Sequence, residues 1–148
     1  MTAITHVGLS VPDLDRALAW YGDILGFEAL GPPTSVRAHD GHAGTVAADV
    51  LGDSGSFRQA HLAGANGVAL ELFEFEGNRR RPGLFHFCLV APDVRRTAER
   101  IAASGGRRRS RVWEIFRGEP YLTCYCEDPF GTVIELYSHS HERTYANR

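Results

Sequence analysis

Lysine is absent from this 148-residue chain, and all sixteen of its basic residues are arginine. A catalytic lysine and a Schiff-base mechanism are therefore excluded. Cysteine is scarce: Cys88, Cys124 and Cys126 form an odd set without regular spacing, which argues against a disulfide framework. A large excess of charge of one sign is also lacking. The net charge of −2 gives no general attraction to nucleic acid or to anionic membranes.

Long hydrophobic runs are missing as well. No apolar stretch approaches the roughly 18 residues that a membrane-spanning helix requires. Residues 1–15 show no basic start followed by an apolar run, as a signal peptide would. We therefore expect a cytoplasmic protein with no nucleic-acid and no membrane partner. Apolar residues make up 43% of the chain, enough for an ordinary globular core.

The sequence that is present repeats itself. Residues 6–14 (HVGLSVPDL) match residues 86–94 (HFCLVAPDV) at an offset of 80. Residues 67–73 (GVALELF) match residues 131–137 (GTVIELY) at an offset of 64. The two offsets differ by 16 residues, so the first half is longer by that amount. The excess must fall between residues 30 and 65, where Gly, Pro, Ser and Asp indicate loops.

Each half follows the same local plan. Residues 4–11 and 84–91 alternate between apolar and other side chains, which predicts a strand at the start of each half. Asp13 and Asp93 then occupy good N-cap positions before helically spaced apolar residues, and Gly26 predicts the end of the first helix. Several short strands follow each helix.

The repeated plan predicts an α+β protein made of two βαβββ modules. The first module covers residues 1–78 and the second covers residues 83–141, and residues 142–148 form a C-terminal tail. Residues 128–131 (DPFG) predict a tight turn before the last strand.

Four polar side chains interrupt the apolar strands: His6, Glu71, His86 and Glu135. Side chains alternate between the two faces of a strand, and each of the four points away from the apolar face of its strand. Burial of an unpaired carboxylate costs several kcal/mol, and a divalent cation is a strong partner. Two imidazoles and two carboxylates are a sensible set of metal ligands. The alternative is that duplication preserved these residues without a function.

The chain resembles the vicinal oxygen chelate superfamily, which includes glyoxalase I, extradiol dioxygenases, methylmalonyl-CoA epimerase and bleomycin-resistance proteins. The resemblance covers nearly the whole chain. It lies in HVGLSVPDLDRALAWYGDILGF, GVALELF, FHFCLVAPDV and EDPFGTVIELYS.

This resemblance implies a cup-shaped, eight-stranded mixed sheet with helices on the outside and a metal ion in the cup. The metal ligands it implies are the first-strand histidine and the last-strand glutamate of each module. In this sequence they are His6, Glu71, His86 and Glu135. The cofactor is one divalent ion, with nickel, cobalt, zinc, manganese and iron all open.

The implied activity is that of a glyoxalase-like lyase or isomerase. It would act through a metal-chelated enediolate of a small oxygenated substrate, with Glu71 or Glu135 as the catalytic base. The glutathione-using members of the family carry Arg and Asn where this sequence has Ser10 and Phe75. A glutathione-linked substrate is therefore not expected.

Two rival functions stay open. An iron(II) extradiol dioxygenase would use His6, His86 and Glu135, with Tyr125 as an acid or base, but Glu71 would then fill a position needed for chemistry. A small-molecule binding or resistance protein of the same fold is the other rival. A homodimer is expected, and the sequence leaves open whether one chain or two supply the metal ligands.

The remaining histidines are expected outside the site. His39 and His42 lie in the longer part of the first module and are interpreted as loop residues. His61, in QAHLA, is less certain because this segment could be a strand beside the cup. His139 and His141 are interpreted as part of a polar tail, with a second metal contact as a minor alternative.

Overall fold

The computed structural model describes residues 2–52, 55–64, 67–78, 83–127 and 132–146. The turn predicted at residues 128–131 lies outside this range. In the first half of the chain the described elements are β1 (Ala3–Ser10), α1 (Leu14–Leu25), β2 (Glu28–Ala29), β3 (Thr34–Arg37), α2 (Gly41–Leu51), β4 (Ser56–Ala63), β5 (Ala69–Phe75) and a 3-10 turn (Glu76–Asn78). In the second half they are β6 (Gly83–Val90), α3 (Val94–Ala103), β7 (Arg107–Arg108), β8 (Trp113–Glu114), β9 (Leu122–Glu127), β10 (Val133–Tyr137) and α4 (His141–Tyr145).

The strands form one mixed sheet in the order β2-β4-β5-β1-β6-β10-β9-β7. Strand β3 also pairs with β4, and β8 also pairs with β9, so each edge position is divided into two short strands. Strands β1 and β5 are parallel, as are β6 and β10, and the antiparallel pair β1–β6 joins the two halves. The order is symmetric about that pair. The predicted α+β sheet of two related modules is therefore confirmed, with eight strand positions.

Helices α1 and α3 cover one face of the sheet, as the sequence predicts. Asp13 and Asp93 cap them, each accepting a hydrogen bond from a backbone N–H three residues later at 3.0 Å. Gly26 ends α1 in the left-handed conformation, with φ of 72°. Two apolar clusters lie beneath these helices. Their fully buried members are Leu14, Ala60, Leu62 and Leu72 under α1, and Ala91, Val94, Ala98, Cys124, Cys126 and Leu136 under α3.

The extra residues of the first half form a helix, where the sequence indicated loops. Helix α2 buries Ala47 in a third cluster together with aromatic side chains of β4 and β5, and Val50 on the same helix is also buried. Asp49 on this helix accepts hydrogen bonds from the backbone N–H of Arg111 and from the Trp113 indole. These contacts tie the first module to the second across the inner face of the sheet.

The C-terminal segment also differs from the expected polar tail. Ser140 caps helix α4, and His141, its first residue, is 1% exposed. Helices α2 and α4 thus contact the inner face of the sheet, opposite α1 and α3. No helix in the described part of the chain is long and apolar enough to cross a membrane.

Candidate metal centre

The register of four adjacent strands brings the predicted donors together. Gly8 on β1 is paired with Glu71 on β5 and with His86 on β6. Two residues along, Cys88 on β6 is paired with His6 on β1 and with Glu135 on β10. The two rows are related by the repeat. A small residue stands at the middle of each row, because the flanking histidine and glutamate lean over it.

The four side chains converge on one point within a single chain. Each offers one ligand atom, and these four atoms lie within 4.8 Å of one another. His6 Nε2 lies 2.8 Å from Glu135 Oε2, 3.0 Å from Glu71 Oε2 and 3.0 Å from His86 Nε2. His86 Nε2 lies 3.1 Å from Glu135 Oε2 and 3.3 Å from Glu71 Oε2. All four residues are at most 4% exposed.

Hydrogen bonds alone cannot account for this geometry. Five contacts of 2.8–3.3 Å join the four atoms, yet the two Nε2 atoms carry at most one hydrogen each. Glu71 Oε2 makes no hydrogen bond of acceptable geometry within the described residues. Two ligands bound at about 2.1 Å from one cation and at right angles are about 3 Å apart. The donor set therefore fits a divalent cation.

The charges of the cluster are consistent with this fit. Burial by itself lowers the pKa of His6, but contacts with Cys88, Glu135 and Glu71 raise it well above its ordinary value. Burial by itself raises the pKa of each glutamate, but the neighbouring histidines lower it, most strongly for Glu71. Both carboxylates are thus ionised and require positive charge beside them. A proton supplies it when the site is metal-free, and a cation can replace that proton.

The two glutamates are held unequally. Glu135 is fixed at both oxygens, because Oε2 lies 2.8 Å from His6 Nε2 and Oε1 accepts a hydrogen bond from the Thr123 hydroxyl at 2.9 Å. Glu71 Oε1 lies 3.7 Å from His61 Nδ1, which is too far for a hydrogen bond. Glu71 is therefore the less constrained of the two carboxylates.

Two further groups border the cluster. Burial raises the pKa of the Cys88 thiol, which stays protonated beside His6. Burial also raises the pKa of Tyr125 well above its ordinary value, and its ring lies 5.4 Å from the ring of His86. Burial therefore disfavours the thiolate and phenolate forms that would bind a cation.

A second layer of histidines lies behind His6, and the sequence interpretation missed it. His141 Nδ1 lies 2.9 Å from His6 Nδ1, and His141 Nε2 lies 3.1 Å from His61 Nδ1. Burial lowers the pKa of His141 to about 2. The expected tail residue is thus a neutral, buried partner of a candidate ligand. The offset of 80 between His61 and His141, equal to that between His6 and His86, was the only available signal.

The other three histidines are not part of this second layer. His42 is the second residue of α2 rather than a loop residue, and its Nε2 donates to the backbone carbonyl of Glu114. His39 precedes this helix with a φ of 68°. The ring of His139 stacks edge-on against Tyr121, and its Nδ1 lies 2.8 Å from the Ser138 hydroxyl.

A cavity of about 350 Å³ adjoins the donors. Glu71 and Glu135 line it, as do the inner face of α2 and residues 115–117 of the second module. Most of its wall is apolar or aromatic, with contributions from Val36, Val46, Ala47, Val50, Phe57, Phe73, Ile115, Phe116 and Tyr125. Besides the two carboxylates, the polar residues of the wall are His42, Gln59, Arg117 and Thr123, together with Tyr137 and Tyr145.

The sequence model of the Glyoxalase/Bleomycin resistance protein/Dioxygenase superfamily matches residues 3–136. The chain belongs to this superfamily. The match includes all four candidate ligands, and it confirms the resemblance seen in the sequence.

Solved structures of the superfamily share the fold. Methylmalonyl-CoA epimerase from Mycobacterium tuberculosis is 20% identical with a TM-score of 0.66, and the match covers 97% of this chain and 91% of that one. Methylmalonyl-CoA epimerase from Streptomyces coelicolor, in complex with 2-nitronate-propionyl-CoA, is 20% identical with a TM-score of 0.62, over 90% of this chain and 94% of that one. A hypothetical protein from Bacillus halodurans C-125 is 15% identical with a TM-score of 0.65, and the match covers 92% of this chain and 93% of that one. Comparison with curated protein sequences finds no match.

A substitution at Gly8 tests whether His86 must stand where it does for the four candidate ligands to bind a cation. A Cβ atom at this position would overlap the His86 ring. We expect Gly8→Ala to displace His86 and to weaken binding of Zn²⁺ about tenfold or more, in line with the cost of disturbing a metal ligand. Competition with a chromophoric chelator measures the affinity. Gly22→Ala is the control, because its added Cβ meets nothing closer than 3.5 Å. Equal affinities in the two variants would contradict the geometry.

Proposed function

We propose that this protein is a divalent-metal-dependent isomerase or lyase that moves a proton at a carbon atom next to a carbonyl group. The observation that supports it most directly is the convergence of two imidazoles and two carboxylates, all buried, beside an apolar cavity. His6, His86, Glu71 and Glu135 would hold the cation. When bound, the cation supplies a Lewis acid that stabilises negative charge on two neighbouring substrate oxygens.

Glu71 is the better candidate for the base. The Thr123 hydroxyl holds Glu135 Oε1, whereas the corresponding oxygen of Glu71, Oε1, lies 3.7 Å from His61 Nδ1, which is too far for a hydrogen bond. Glu71 also lines the cavity and is ionised, which is the form that accepts a proton. A carboxylate that can turn toward the cavity can reach a substrate C–H group within hydrogen-bond distance.

The proposed step balances without an oxidant or reductant. Glu71 takes the proton from carbon, the C–H electron pair becomes part of a carbon–carbon double bond, and the carbonyl π pair moves onto oxygen. Return of the proton to the opposite face of the same carbon completes an epimerisation. Where that carbon carries a hydroxyl, return of the proton to the former carbonyl carbon completes an isomerisation, provided that the hydroxyl proton moves to the former carbonyl oxygen. Loss of a leaving group from the adjacent atom completes a lyase reaction. The epimerases among the structural neighbours are isomerases by name, which favours the first outcome.

The cavity indicates the character of the substrate. Its volume of about 350 Å³ lies at the small end of the range for ligand pockets. The wall formed by α2 offers Val46, Ala47 and Val50, and the opposite wall offers Ile115 and Phe116. The substrate we propose therefore has two neighbouring oxygens at one end and an apolar body at the other. Ser10 is 5% exposed and Phe75 lies in an apolar cluster, so neither offers a contact for glutathione.

Metal analysis and isotope exchange test the proposal together. We expect the purified protein to bind about one nickel, cobalt, zinc or manganese ion per chain. We also expect it to catalyse deuterium uptake from D₂O into 2-hydroxyacetophenone, followed by proton NMR. Removal of the metal with a chelator should stop the exchange, and adding it back should restore it. Metal-free protein that exchanges at the same rate would contradict the proposal, as would iron binding with oxygen-dependent catechol cleavage.

The choice of base is tested by one matched pair of variants. We expect Glu71→Gln to lower kcat for this exchange about 10²- to 10⁴-fold, the usual range for loss of a general base. Glu135→Gln should lower kcat less, because contacts with His6 and Thr123 hold the Glu135 carboxylate in the position of a metal ligand. The metal content of each variant is measured alongside, so that loss of the ion is not mistaken for loss of the base. A larger effect on kcat in Glu135→Gln would assign the base to Glu135 instead.

The apolar wall is tested on α2. Ala47 lines the cavity and is 6% exposed, so a larger side chain there projects into the substrate space. We expect Ala47→Phe to slow deuterium exchange into 2-hydroxyacetophenone at least tenfold more than into hydroxyacetone, which has the same reacting groups without the ring. An equal effect on both compounds would show that the substrate body does not lie against α2.

A further inference from the structure

The histidine behind His6 has a defined place in the fold. His141 is the first residue of α4, and its ring stands between those of His6 and His61. Its backbone N–H donates to the Thr5 hydroxyl at 2.7 Å. At the other end of α4, the Tyr145 ring stacks on His61 at a centroid distance of 3.7 Å. These contacts leave the His141 ring little freedom to turn.

The chemistry of imidazole fixes the proton positions once His6 is a ligand. When His6 Nε2 is a metal ligand, the one proton of its neutral ring lies on Nδ1. His6 Nδ1 then donates to His141 Nδ1, and the proton of the His141 ring must lie on Nε2. His141 Nε2 in turn donates to His61 Nδ1. Only this arrangement of protons satisfies both the His6–His141 and the His141–His61 hydrogen bond.

The other candidate histidine ligand has no such support. His86 Nδ1 lacks a hydrogen-bond partner within the described residues and lies over Gly8. Away from its Nε2 contacts, His86 is oriented by packing, with rings such as Phe73, Phe85 and Tyr125 around it. A protein group that accepts from the outer nitrogen of a metal-bound histidine fixes its tautomer and increases metal affinity. In this chain that support is concentrated on His6.

We propose that His141 is a positioning residue, which holds His6 in the tautomer and orientation of an Nε2 ligand and thereby couples metal affinity to the folded C-terminal helix. His61 completes the arrangement by accepting from His141. This role rests on the proposed metal centre, and it adds to metal affinity a contribution from a residue that is not one of the four candidate ligands.

Three variants separate hydrogen bonding from packing. His141→Phe keeps a ring of similar size but removes the acceptor. His141→Asn keeps an acceptor oxygen close to the position of Nδ1. His139→Phe changes the same residue type two positions earlier, at a ring that contacts Tyr121 and Ser138 rather than His6. Zn²⁺ affinity is measured by chelator competition, and the visible spectrum of the Co²⁺-loaded protein reports on the ligand geometry.

We expect His141→Phe to weaken Zn²⁺ binding about 10- to 100-fold, the usual range when a metal-bound histidine loses its hydrogen-bond partner. The visible spectrum of the Co²⁺-loaded protein should also change. His141→Asn should stay within a few-fold of the wild type, and His139→Phe should be unchanged. A folded His141→Phe protein with wild-type affinity would overturn the role of His141. Equal weakening in His141→Asn and His141→Phe would also overturn it, because packing alone would then explain the loss.

Hydrogen exchange on the wild-type protein gives an answer even if a variant fails to fold. Binding of Zn²⁺ should slow amide exchange in α4 more than in α3, which packs on the opposite face of the sheet. Equal slowing in the two helices would overturn the coupling. A wild-type protein that binds no divalent ion would overturn the metal centre itself, and this result is distinct from one in which the ion binds and His141 has no effect.

Discussion

Two ionised glutamates buried beside two imidazoles are the constraint on which the rest of this structure depends. Glu71 and Glu135 are 4% and 3% exposed, so their charge must be compensated largely by the protein or by a bound cation. Only the two central strands and their immediate neighbours can place four donors within contact distance. The small residues Gly8 and Cys88, the inner aromatic side chains and the outer helices all serve that placement.

The two modules give a nearly symmetric set of candidate ligands, but their surroundings are not symmetric. Thr123 anchors Glu135, and no described hydroxyl anchors Glu71 in the same way. His141 supports His6, and no described residue hydrogen bonds to the outer nitrogen of His86. Duplication supplies equal donors, and later differences between the halves can assign them separate roles in binding and in proton transfer.

Sequence patterns predicted the elements whose signals are local. Asp13 and Asp93 begin the outer helices, and alternation along β1 and β6 separates the core face from the donor face. Helix α2 was missed because glycines and prolines around it indicated loops. Its own signal, apolar residues at positions 43, 46, 47 and 50, has helical spacing and was outweighed. Helix α4 has five residues, too few for a periodic pattern.

The sequence by itself determined the two-module fold, the superfamily and the four candidate ligands that the fold brings together, because repetition and strand alternation are present along the chain. The tertiary structure decided which groups stand behind the donors and what encloses the space beside them. His141 lies 135 residues from His6, and Asp49 lies 64 residues from Trp113. Contacts at such separations follow from how the strands are ordered in the sheet, and no local pattern encodes them.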